Sequence, residues 1–146
     1  MREACSRPLT PNLPDISAAV SFTRQPAGGQ PGRLTLSLPG ALLELMSPAA
    51  GGALKGDWAR ELANQLTGRI NNRLLPFNVR LQVGVSSMLD SAKLERHLRL
   101  VPDARVYTGR TLRSETVVTI EGLPEHSQLV YVGPVNTAAE GDAILF

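Results

Sequence analysis

The sequence predicts an α+β domain: a mostly antiparallel sheet with one long central helix and two short helices packed on one face of it. Three observations carry that expectation. Apolar residues recur every fourth position through residues 57–75, two stretches (33–38 and 77–85) alternate apolar with polar residues, and three β-leaning runs close the chain at spacings of roughly a dozen residues.

Residues 1–15 hold Pro8, Pro11 and Pro14 with little periodicity and are expected to be an irregular lead-in. Residues 16–146 then form a single domain, since 146 residues with 42% hydrophobic content suit one core rather than two. Residues 16–23 lean towards a strand, and the Gly/Pro-rich stretch 25–32 ends it. In 33–38, Leu34, Leu36 and Leu38 share one side while Arg33, Thr35 and Ser37 take the other, the pattern of a half-buried strand. Residues 41–46 suit a short helix that Pro48 halts, and 49–53 a flexible link.

The long helix follows. Trp58, Leu62, Leu66, Ile70 and Leu74, with Ala59 and Ala63 beside them, predict its buried face, and Pro76 ends it. Asp57 suits an N-cap or first-turn position, where a carboxylate satisfies free backbone N–H groups. Beyond the helix, 77–85 predicts a strand with Phe77, Val79, Leu81, Val83 and Val85 inward. Residues 91–100 predict a short helix capped by Asp90 or Ser91, with Leu94 and Leu98 on one face and Leu100 off it. Runs 104–108, 116–121 and 128–132 predict an antiparallel meander, and 143–146 a last edge strand.

Composition narrows the chemistry. The formal charge is +2 and the Lys and Arg residues are scattered, so the basic patch of a nucleic-acid binder is missing. No run approaches the ~18 apolar residues of a membrane span, and the opening residues lack the apolar core of a signal peptide, which predicts a cytoplasmic protein. Cys5 has no partner for a disulfide within the chain, and neither His97 nor His126 stands at metal-ligand spacing, so no metal site is expected and both histidines read as solvated surface. Ser86 and Ser87 lack the G-x-S-x-G setting of a hydrolase nucleophile. Gly28, Gly29, Gly51 and Gly52 lack the context of a phosphate-binding loop and read as linkers.

One strip remains. At 100° per residue Asp57, Glu61, Asn64 and Gly68 fall in a narrow arc near the pole opposite the apolar face. A carboxamide offers an acceptor and two donors, enough to hold a water in one orientation for an in-line attack. Glu61 suits a pairing with a partner's lysine or arginine, and Gly68 leaves space for a partner's backbone. Such a strip is equally the solvent side that any amphipathic helix shows.

The stretch Glu61-Leu62-Ala63-Asn64-Gln65-Leu66-Thr67-Gly68, running on to Leu74, resembles the signature helix of the CheC/CheX/FliY chemotaxis phosphatases, CheX above all, where an E-L-x-N-x-x-x-G helix precedes an extended strand. Asp57 matches the acidic or serine position before the glutamate, and the resemblance spans residues 16–121. It implies a CheX-like fold and a phosphatase acting on the phosphoaspartate of a CheY-like response-regulator receiver in two-component signalling. Asn64 would position the hydrolytic water and Glu61 would pair with a receiver lysine, with Asp57 and Gly68 at the partner contact. The Mg²⁺ would belong to the receiver, and strand pairing would join two copies as a homodimer. The family usually carries a proline near the end of the next strand, at the position of Ser86 here. Glu61 and Asn64 favour the phosphatase, whereas Ser86 favours the alternative, a non-catalytic binding module that docks a receiver or a flagellar-switch-like partner; a structural subunit associating through its sheet edge is a third reading.

Overall fold

The computed structural model describes residues 2–3, 13–25, 29–46, 52–101, 103–110 and 114–133. The elements run β1 (Arg2–Glu3), β2 (Ile16–Gln25), β3 (Gln30–Leu38), α1 (Gly40–Met46), α2 (Gly52–Leu74), β4 (Arg80–Leu89), α3 (Ser91–Leu100), β5 (Arg105–Arg110) and β6 (Glu115–Glu121). Five full strands and the two-residue β1 make an antiparallel sheet in the order β1-β5-β6-β3-β2-β4. The α+β class and the long central helix are as the sequence predicts. Part of the lead-in is ordered against the fold itself, because Arg2 and Glu3 pair with Thr108 and Tyr107 of β5.

Ala18, Val20, Phe22, Leu34, Leu36, Leu38, Val118 and Ile120 line one face of the sheet, and α1 and α2 cover them through Leu43, Ala59 and Ala63. Each of those strand residues alternates with a small or polar one whose side chain takes the opposite face. There Ser17, Thr35, Ser37 and Thr119 are buried beside Ala19 and Val117. The layer over them is α3. Asp90 caps it by accepting from the Ala92 and Lys93 N–H groups, Ser91 Oγ meets Ser17 Oγ at 2.7 Å, and Leu94 is buried.

The helices therefore lie on both faces of the sheet, which corrects the one-sided packing expected from the sequence. It also explains why β3 is buried from Leu34 to Leu38 rather than half-buried. Hydroxyls make this possible, since Ser17 pairs with Ser37 at 2.7 Å and Thr35 with Thr119, so each of these four buried hydroxyls meets a partner across the strands. His97 is likewise not a bare surface group: its Nε2 lies 2.7 Å from Glu121 Oε1, and Arg33 reaches the other carboxylate oxygen at 3.4 Å.

Two further expectations change. Run 128–132 forms no strand; it leaves a 3-10 turn (His126–Gln128) and is pinned elsewhere, with Val132 N–H donating to Pro76 O at 2.8 Å and the Tyr131 ring edge-on to Phe77. Phe77 itself belongs to the 3-10 turn Leu75–Phe77 that closes α2, and β4 starts only at Arg80, after Asn78 takes a left-handed conformation. Residues 143–146 and Cys5 lie outside the described residues. Among the described residues, no helix is long and apolar enough to cross a membrane.

Candidate active site

The setting of the polar strip follows from how α2 meets the sheet. Ala59, Ala63 and Thr67 are its buried centre, with Thr67 Oγ1 donating back to Ala63 O at 2.8 Å. Small side chains let the helix axis lie close to the strands, and Leu62, Leu66, Ile70 and Leu74 fill the space beside it. A series of every fourth residue turns by about 40° per step, so from position 58 to 74 it drifts by about 160° and cannot face one way throughout. Trp58 accordingly stands at the exposed end of the series, 40% accessible, and not in the core.

The opposite flank of α2 borders β4. Gly56 lies against Met88, and Asn71 Oδ1 accepts from the Leu81 N–H at 2.8 Å. Between them is Asn64. One residue beyond Ala63, it sits about 100° around the helix from that buried position, and so occupies the partly buried flank rather than the far pole. Its Nδ2 points to Ser86 Oγ at 3.5 Å, while Oδ1 has no partner among the described residues.

Ser86 reaches this spot through a β-bulge. Phe22 pairs with Val83 and Val20 with Ser86, so Gly84 and Val85 both stand opposite Ser21. The extra residue reverses the alternation of β4. Leu81 faces the core, but beyond the bulge Ser86 and Met88 turn towards α2, and Val85 is sent to the other side, 81% exposed. The inward placing of Val85 expected from simple alternation is thus overturned, whereas Val83 keeps the core side opposite Phe22 and is left 42% exposed because β4 is an edge strand.

The other members of the strip are less enclosed. Glu61 is exposed one turn before Asn64 and accepts from Gln65 Nε2 at 3.0 Å. Asp57 is exposed and paired with Arg60. It is not an N-cap, because α2 begins at Gly52, its first turns held by Lys55 bonding to Glu44 of α1 at 2.5 Å and by Gly56 on Met88. A Cβ built on Gly68 would meet no atom within 4 Å, so nothing inside the domain requires glycine there.

The fold brings Glu61, Asn64 and Gly68 onto one accessible ridge and adds Ser86 from β4; it leaves Asp57 tied to its own helix neighbour. Ser86 is the member that helix periodicity missed. The signal was the lone Gly84 inside an alternating run, a mark of a bulge. Ser86 meets a carboxamide and not a base, His97 lying against Glu121 under α3, so the pair offers hydrogen bonds rather than a nucleophile. Among the described residues, no cluster of three or more His, Cys, Asp or Glu side chains is placed to hold a metal ion.

The sequence matches no protein-family model and no curated protein. In structure it is similar to the chemotaxis protein CheX from Vibrio vulnificus, with a TM-score of 0.60 over 82% of each chain at 11% sequence identity. The chain has the CheX fold.

Proposed function

We propose that this protein is a phosphatase for the phosphoaspartate of a CheY-like receiver domain. The observation that carries the reading is Asn64: a carboxamide on a ridge between α2 and β4, with its Oδ1 unpartnered and an exposed carboxylate, Glu61, one turn away. The likeness to a CheX protein supports a role in chemotaxis-type signalling. When the ridge meets a receiver, Oδ1 accepts a hydrogen bond from a water and aims its oxygen in line with the phosphoryl group. The water oxygen bonds to phosphorus, the acyl phosphate P–O bond breaks, the aspartate leaves as carboxylate and the water proton passes to phosphate. Charge on the phosphoryl oxygens is neutralised by the receiver's own Mg²⁺. Glu61 pairs with a receiver lysine and sets the register of the two surfaces, and the open position at Gly68 admits the receiver backbone. The receiver being cytoplasmic, so is this protein.

The test is the decay of phosphoryl label on CheY-type receivers charged with acetyl phosphate and Mg²⁺. Wild-type protein accelerates decay of a cognate receiver, and Asn64→Ala abolishes the acceleration while complex formation persists. Equal decay with and without the wild type across a broad receiver panel would sink the reading.

Ser86 in place of proline favours a second reading, a binding module that docks the receiver without hydrolysis; a complex that forms without speeding decay would select it. Under either reading, β4 supports a homodimer. It is an edge strand with Val83, Val85 and Met88 exposed, which leaves its outer backbone groups open to antiparallel pairing with a second copy.

A further inference from the structure

We infer that Ser86 is a positioning residue for Asn64, holding the amide nitrogen so that the carbonyl oxygen faces the water. The inference rests on the phosphatase reading and deepens it. A carboxamide near a reacting group has two half-turn orientations about its last bond, one presenting Oδ1 and the other Nδ2. Only the first accepts a proton from the water while leaving the water oxygen's lone pair directed at phosphorus; the second donates to that oxygen and ties up the pair that must attack. A hydroxyl accepting from Nδ2 selects the first orientation.

Four observations put Ser86 in that role. Asn64 Nδ2 donates to Ser86 Oγ, the two side chains meeting across the α2–β4 seam at 3.5 Å. The Asn64 side chain makes no other hydrogen bond among the described residues, so its orientation has no second hold. The bulge at Gly84 and Val85 alone makes the contact, because with unbroken alternation Val85, which has no acceptor, would stand on the α2 side and Ser86 on the other. The seam is itself fixed at both ends, by Asn71 bonding the Leu81 N–H and by Gly56 on Met88, so neither element drifts away from the other.

Three variants of the full chain test this against a CheY-type receiver charged with acetyl phosphate and Mg²⁺. Ser86→Ala lowers kcat roughly tenfold and leaves KM for the receiver unchanged, the mark of lost orientation rather than lost docking. Ser86→Thr restores the hydroxyl and most of kcat. Asn64→Ala removes activity, since it takes away the group that holds the water. A second readout needs no receiver: the side-chain amide resonances of Asn64 shift and exchange faster with solvent in Ser86→Ala and revert in Ser86→Thr. Full activity in Ser86→Ala overturns the inference and leaves the phosphatase reading standing. Absence of wild-type activity on every receiver overturns that reading instead, and Asn64 amide resonances indifferent to Ser86→Ala overturn the contact itself.

Discussion

Gly84 and Ser21 approach so closely that no side chain fits between the strands: a Cβ on Gly84 would lie 2.7 Å from Ser21 Oγ and 3.1 Å from Ser21 O. The hydroxyl can swing aside, but the carbonyl belongs to the sheet. Gly84→Ala therefore strains the bulge and is expected to cost about 1–3 kcal/mol, read as a lower urea midpoint at unchanged slope. Ser21→Ala added to it recovers part of the loss. Because the bulge also aims Ser86, under the proposed function Gly84→Ala is expected to lower kcat on a phosphorylated receiver more than it lowers receiver binding.

Asn71 carries the other end of the seam. Its Oδ1 accepts from the Leu81 N–H at 2.8 Å, at the point where β4 begins and its edge has no strand to pair with. Asn71→Leu keeps the size of the side chain and orphans that N–H, for an expected loss of about 1–3 kcal/mol. Amide hydrogen exchange checks it locally: protection of Leu81 falls further than that of Val20 in the sheet interior.

How much of this was legible in the sequence differs element by element. Strict alternation located β3, and the Asp90 cap with Leu94 located α3, because each signal is local and its partner is a few residues away. The four-residue series of α2 identified the helix and the face that Ala59, Ala63, Leu62, Leu66, Ile70 and Leu74 turn to the core, but not its start, since a period of 3.6 turns Trp58 outward. Burial of Thr35 and Ser37 depends on α3 folding back over the far side of the sheet, a tertiary event with no local mark. Asn64 stood out as a chemical group, whereas its neighbour Ser86 required knowing that Gly84 and Val85 share one opposite residue.

The hydroxyl layer under α3 gives a test of polar burial. Thr35 and Thr119 are fully enclosed and pair with each other across β3 and β6. Replacing either alone with valine keeps the shape and strands one buried hydroxyl, at about 1–3 kcal/mol. Replacing both removes the pair with no orphan left, and stability returns to near the wild-type value. A double-mutant cycle on urea midpoints measures the coupling, and additive losses would show that the hydroxyls find other partners.

Gly68 separates stability from docking. In the interior of a helix glycine is destabilising by about 0.5–1 kcal/mol relative to alanine, and here a Cβ would meet nothing within 4 Å. Gly68→Ala is thus expected to raise the melting temperature, since the domain gains helix propensity without a clash. The same methyl group stands on the ridge shared with Glu61 and Asn64, where the receiver backbone comes close under the proposed function. It weakens the complex and raises KM, with kcat at saturation little changed because Asn64 and Ser86 are untouched. Gly68→Leu enlarges both the steric effect on docking and the gap between the two measurements. A stabilised Gly68→Ala variant that binds and dephosphorylates as the wild type does would remove Gly68 from the partner surface, while leaving the assignment of Asn64 to the water intact.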